Sequence, residues 1–544
     1  MILIVKILAF LLLITHSLVF SQKDNGSINA ISDEITHGSN LEFIPEVSIF
    51  KKFENNISFL NKKVLETEYL SAQIDTLYSN NLIRESDGKK IEQHYLQLHN
   101  SFQDFTDFNV KKLHEISERL VDKKPLKGCE ISYLNKSFYT YKKYVECNNM
   151  IQKNKKDKSV NLLHLQLNQL IFFYKNYYNS LENKQIRRVL NSEDVAYKIE
   201  KNDLKKIALK QLRRKNYKTI QKGIHSSQLN QKNDLVIDSI LYNSIKNTAY
   251  NKSSIRKDKR KIRRLFNKDK AHNSGRTIIH QFSGLMGNFM GLFKFRKGFL
   301  NKNDSILNEI SNRLKPMDII GEKTNFTLTD KLIIGHFSHI AIWLGTPKQL
   351  QESNLWNHPS IVPFHKYINE GFCILENDRK GTHLKKLIDF LNVDELAIMR
   401  IQDFEQLSID YKTVIYENAL AQLGKKYDFN FDLETTNKLT CSELIYYVFG
   451  SIHWPNEHYF NRATISPDNI LSLTLYKNTP ASLIYYVSAK NRKTIFQKSL
   501  LELSKDLGYQ KIDNAFIPFN KKCDKERNRT KKKCTSANRI LEYQ

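Results

Sequence analysis

From Glu46 to His272 the chain carries almost no glycine or proline, so little in the backbone forces it to turn. Within that stretch FLNKKVLETEYLSAQIDTLYSNNLI and VNLLHLQLNQLIFFYKNYYNSLENKQIRRVL place apolar residues three and four positions apart. That is the spacing of one helix face. The pattern predicts a large all-α region, bundle-like, built from long helices and without a clear repeat period. Its basic end, SSIRKDKRKIRRLFNKDK at 253–270, reads either as a helix end or as a flexible linker.

Beyond Lys315 and Pro316 the character changes. Short β-rich runs appear (DIIGEK, HIAIWLG, GFCILEN, LAIMRI and SLIYYVS), with helices expected near 384–391, 410–423 and 441–449. Strands and helices without strict alternation predict an α+β domain. Just before it, FSGLMGNFMGLFKFRKGFL at 282–300 reads first as a segment packed on the next domain and second as one suited to a membrane surface, and it lacks the pattern of a phosphate loop. The expected organisation is a signal peptide at 1–21, a helical region at 22–275, a Gly-rich basic connector at 276–314, the α+β domain at 315–490 and a basic tail at 491–544.

The first residues, MILIVKILAFLLLITHSLVFSQ, have the lysine, apolar run and small residues of a secretory leader cleaved after Ser21. The expected location is exported, periplasmic or cell-envelope associated. The formal charge is +28, and residues 151–300 hold 34 Lys and Arg against 10 Asp and Glu, so the excess is concentrated in the helical half. Export argues against nucleic acid as a partner. It leaves an anionic membrane surface, an acidic wall polymer or a merely solvated face. Cys129 and Cys147, 18 apart, and Cys523 and Cys534, 11 apart, are each candidates for a local disulfide. Cys373 and Cys441 are left over.

Cys441 opens NKLTCSELIYYVF, where Thr440 and Glu443 form a T-x-x-E capping box ahead of an apolar helical run. At the first helical position, free N–H groups and the helix dipole favour a thiolate. A thiolate nucleophile needs a base, and the base needs an orienting group. GHFSHIAIWLG offers His336 and His339 ahead of a strand, and GFCILEND offers Glu376, a carboxylate able to hold an imidazole Nδ1–H. Asp428, Asp432 and Glu434 lack the spacing of a calcium loop. No zinc motif is present, so neither a metal nor a cofactor is expected.

The order P-x-D-I-I at 316–320, S-H-I-A-I at 338–342, I-L-E at 374–376, G-K-K-Y-D-F-N-F-D at 424–432 and C-S-E-L at 441–444 resembles the YiiX/YebB-like family of circularly permuted NlpC-type cysteine hydrolases. The resemblance covers residues 315–475. It implies a papain-like fold with Cys441 as nucleophile, His339 as base and acid, and Glu376 as its orienting group. Tyr427 falls in the family's Y-D motif as a site-lining residue, with His336 a second candidate. Asn377 and Asp378 depart from the small residues usual after the glutamate. The expected activity is hydrolysis of an amide or acyl bond in a cell-wall peptide or an acyl lipid, through an acyl-enzyme. The rival expectation is a non-catalytic envelope protein whose basic helical region holds an anionic lipid or wall polymer.

Overall fold

A computed structural model describes residues 47–79, 85–122, 125–153, 162–218, 253–269, 296–324, 335–402, 404–428, 436–459, 462–518, 521–525, 532–536 and 541. The leader at 1–21, most of the 282–300 segment, Asp432 and Glu434 lie outside the described residues. Residues 46–544 form one compact unit. Among the described residues, no helix is long and apolar enough to cross a membrane.

The helical region is built on α1 (Val47–Ser79), α2 (Glu85–Arg119), α3 (Gly128–Lys153) and α4 (Leu162–Phe173). Helix α3 is buried on nearly every side, from Ile131 and Leu134 to Tyr141, Tyr144 and Asn148. A helix enclosed in this way must have neighbours all round. On one side it meets an aromatic core, with Phe102 stacked on Tyr144 at 4.1 Å and Phe172 closing edge-on at 5.3 Å from Tyr144. Some of the polar residues inside are paired, with Tyr133 donating to Asn109 (2.7 Å) and Asn109 to Asn176 (2.7 Å). The basic stretch after Ser253 is helical and not a flexible linker. It is a helix over residues 253–269, seated on the bundle through Ile255, Ile262 and Phe266.

Cys129 and Cys147 are not bridged. Both lie on α3, and 18 residues of helix separate them by about 27 Å, whereas a disulfide requires Cα atoms within about 7 Å. In the tail, Lys521–Lys525 and Lys532–Ser536 pair antiparallel with Cys523 opposite Cys534.

The α+β part contains β1 (Ile319–Lys323), β2 (His339–Trp343), β3 (Ile374–Asp378), β4 (Gly381–Lys385), β5 (Glu395–Ile401), β6 (Lys426–Tyr427), β7 (Lys438–Leu439), β8 (Glu457–Tyr459), β9 (Arg462–Thr464), β10 (Ala481–Ala489) and β11 (Ile495–Gln497). Seven of them form one sheet in the order β11-β10-β5-β1-β2-β3-β4, with every neighbour antiparallel. Its central strands are apolar runs buried on both faces, such as Ile340–Ile342 and Leu396–Met399. The helix expected near 384–391 is present only in its second half. The chain continues as strand β4 to Lys385 and only then makes one helical turn, Leu387–Phe390.

Helix α6 (Cys441–Val448) packs on β2 and β3, and α5 (Ile409–Ala421) packs against α6. The back of α6 is closed by the helical region. A Cβ added at Gly128 would lie 2.0 Å from the Tyr446 carbonyl oxygen, and one at Gly450 would lie 2.2 Å from the Cys129 amide nitrogen. Only two glycines allow the start of α3 and the end of α6 to approach so closely. Cys129 N–H donates to Gly450 O (3.2 Å), and the Tyr446 hydroxyl donates to Leu126 O (2.7 Å). Nearby, Lys425 pairs with Asp194 at 3.0 Å, both fully buried.

Candidate active site

The pleat of the sheet selects which side chains meet. Ala341 lies opposite Glu376, and Glu376 lies opposite His383. His339 is two residues before Ala341, so it shares that face and sits diagonal to Glu376. With only a methyl group at Ala341 between them, the two long side chains touch: His339 Nε2 lies 3.0 Å from Glu376 Oε2. The ring is therefore turned opposite to expectation, with Nε2 rather than Nδ1 on the carboxylate. This leaves Nδ1 as the nitrogen available to the thiol.

Cys441 arrives on the same face at the start of α6. The capping box is formed, with Glu443 N–H donating to Thr440 Oγ1 (3.1 Å) and Thr440 N–H to Glu443 Oε2 (2.7 Å). One residue earlier, Leu439 O accepts from Asp428 N–H (2.8 Å) and from the Asn377 side-chain amide. Asn377, which departs from the family pattern, thus ties the Glu376 strand to the approach of the cysteine.

Cys441 is buried, which alone would push its thiol up. The hydrogen bond and charge of His339 outweigh that, with help from the Ile340 backbone amide and the Ser442 hydroxyl, and bring it below its ordinary value. Burial likewise disfavours a charged His339, yet Cys441 and Glu376 together hold it well above the usual imidazole range. Both shifts run in the direction that favours the charged forms, a thiolate beside an imidazolium.

Glu376 is 1 % exposed. Burial would raise it, but His339, His383 and Lys385 hold it far below the usual carboxylate range. Its second oxygen, Oε1, forms ion pairs with Lys385 Nζ (2.9 Å) and His383 Nε2 (3.1 Å). Sequence reasoning missed both of these residues. Their signal was the alternation in GTHLK, where residues two apart share a face; Lys385 fell within the helix expected from 384, and His383 just ahead of it carried no motif of its own.

Tyr427 is half-buried on β6, opposite Leu439 of β7. Burial first, and then the Cys441 charge, raises its phenol well above normal, so it stays a neutral donor beside the thiolate. His336 is not brought to this group. Its ring meets Glu395 (3.1 Å) and Tyr486 (3.0 Å) through Nε2 and Lys323 (3.1 Å) through Nδ1. Its backbone role is nearer the site: the amides of His336 and Phe337 donate to Asp468 at 2.7 and 2.8 Å, fixing the loop that enters β2. Asp428 is buried, its backbone amide in the β6–β7 pairing.

Two trios, His336/Glu395/Asp506 and Glu376/Asp378/His383, gather ligand-type atoms within 4.8 Å. In each a lysine already supplies the cation. Lys498 contacts Glu395 (3.1 Å) and Asp506 (2.8 Å), and Lys385 contacts Glu376.

Residues 313–503 match the model of a permuted papain-like amidase family, YaeF/YiiX, C92. This stretch is a permuted papain-like domain of that family. The match runs past residue 490 and takes in β11, the last strand of the sheet. No curated protein and no solved structure matches the chain. The C92 match carries the amidase class at the level of the family, and the helical region before it lies outside the matched residues.

Proposed function

We propose that the C92 domain is a cysteine hydrolase in which Cys441 is the nucleophile, His339 the base and acid, and Glu376 the orienting carboxylate. The observation that carries this reading is the chain of contacts from the α6 N-terminus through His339 to a buried, ionised Glu376. Thiolate attack on a carbonyl carbon forms a C–S bond and an oxyanion. The Cys441 backbone N–H and the Tyr427 hydroxyl are the donors that would stabilise it. Collapse expels the leaving group, which takes its proton from His339, and leaves a thioester. His339 then deprotonates water, which attacks the thioester, releasing the carboxylic acid and the thiol. The scissile bond is an amide or an acyl linkage, in a cell-wall peptide or an acyl lipid, and the enzyme acts after export at the cell envelope.

Brief iodoacetamide exposure followed by peptide mass spectrometry tests the pair directly. Rapid Cys441 labelling at about pH 6, lost in His339→Ala, is the expected result. Labelling that rises only near about pH 8.5 and is unchanged in the histidine variant would describe an ordinary thiol and overturn the reading.

A further inference from the structure

The helix over residues 253–269 separates its charges by sign. Ile255, Ile262 and Phe266 form the buried stripe. Both acids turn toward the bundle as well. Asp258 accepts from the hydroxyls of Tyr174 (2.7 Å) and Tyr178 (2.5 Å), and Asp269 accepts the Arg187 fork at 2.6 and 2.8 Å. Lys261 is drawn to Glu182 and lies over the Tyr178 ring at 5.1 Å.

What remains outside is Arg256, Lys257, Arg260, Arg263, Arg264 and Lys268, all exposed. Steps of one, three and four residues put them on a single face, in a row about 18 Å long. None of the six has an ion pair among the described residues. Ordinary surfaces intersperse both signs; here the anions are spent on anchoring the helix, and the outer field has one sign.

We infer that this face is a docking surface for an anionic lipid bilayer. A straight, rigid and convex row meets a plane with all its charges at once, whereas a linear polymer is gripped by a groove. The exposed face has no aromatic residue on which a nucleic-acid base could stack. Each cation held at an anionic membrane strengthens binding about fivefold, so the row suffices for reversible attachment without insertion. The inference stands apart from the chemistry at Cys441 and holds whatever bond that site cleaves.

The test is sedimentation of the full chain with vesicles of phosphatidylcholine alone and with about 30 % phosphatidylglycerol. Expected is binding to the anionic vesicles only, lost at about 0.5 M salt. A variant carrying R256Q, R260Q, R263Q and R264Q should bind roughly 600-fold more weakly. The same four positions changed to lysine should bind like the native chain, which separates loss of charge from loss of fold. No binding to anionic vesicles at low salt, or undiminished binding by the glutamine variant, overturns the inference. So does tighter, stripe-dependent binding to duplex DNA, which would give this face to nucleic acid.

Discussion

Replacing Asp194 by alanine would strand Lys425 where water cannot reach it. Both side chains are 1 % exposed and lie 3.0 Å apart, and Asp194 also accepts from Asn135 (2.9 Å) and the Ala196 amide (3.0 Å). Burial pushes Asp194 up and Lys425 down, while each partner counters the shift in the other. Without the carboxylate, Lys425 escapes an unpaired charge by losing its proton. Neutralising a lysine of ordinary pKa, about 10.4, costs about 4.6 kcal/mol at pH 7, and 1.36 kcal/mol less for each unit of higher pH. The figure agrees with the roughly 3–5 kcal/mol seen when one member of a buried pair is removed. In the variant the folded lysine titrates below the unfolded one, so the unfolded state binds more protons and stability rises with pH. Urea unfolding should show a deficit near 4 kcal/mol at pH 7 that shrinks to about 2 kcal/mol at pH 9. The double variant Asp194→Leu, Lys425→Met should recover most of it. A deficit below about 1 kcal/mol, or one indifferent to pH, would refute the argument.

Glu376→Gln should lower kcat by about 10²–10⁴ and move the midpoint of Cys441 labelling to higher pH, because the imidazolium loses its counter-charge; an unchanged midpoint in the labelling profile would separate Glu376 from the pair. Glu395 is raised by burial but held down to about 2 by His336, Tyr486 and Lys498. Its folded value lies below its unfolded one, so its contribution, about 3 kcal/mol at most, is present above about pH 4.5 and fades as pH falls toward 2. Chemical unfolding of Glu395→Gln should therefore show a deficit at neutral pH that closes in acid, and a pH-independent deficit would contradict the assignment. Gly450→Ala should lose about 1–3 kcal/mol from a Cβ forced onto the Cys129 backbone, read as a lowered Tm; an unchanged Tm would mean that α3 and α6 are not in this close contact.

What could be read from the sequence was local. The capping box at Thr440 and Glu443 lies within four residues, and the helical region declared itself through period and missing breakers. His339 and Glu376 could be named because each belongs to a short motif. Their ring orientation could not, since it depends on the diagonal across two strands that Ala341 opens. His383 stands just ahead of the expected helix without a motif to mark it, and Lys385 was lost inside that helix. LKKLIDFL has a helical period, and tertiary pairing with β3 overrides it up to Lys385. Burying Glu376 beside a histidine, a lysine and a second histidine becomes visible only once strand register is known. The disulfide expected between Cys129 and Cys147 failed because spacing in sequence is silent on whether the intervening residues fold back or run straight, and here they run straight through α3.

The same long-range contacts alter what a truncation can show. A piece beginning near residue 300 would keep every residue of the site, yet it would expose the back of α6. Tyr446 would lose its acceptor at Leu126, the Gly450 carbonyl would lose the Cys129 amide, and Lys425 would lose Asp194. Lys425 O in turn accepts from Thr382 N–H at 2.8 Å, on the strand that presents His383 and Lys385 to Glu376. Strain at that interface therefore has a short covalent and hydrogen-bonded path to the charge that orients His339. Inactivity of such a piece would report a disturbed site rather than a missing targeting element. Point changes on the exposed face of the 253–269 helix, which leave this interface intact, are the perturbation that separates attachment from catalysis.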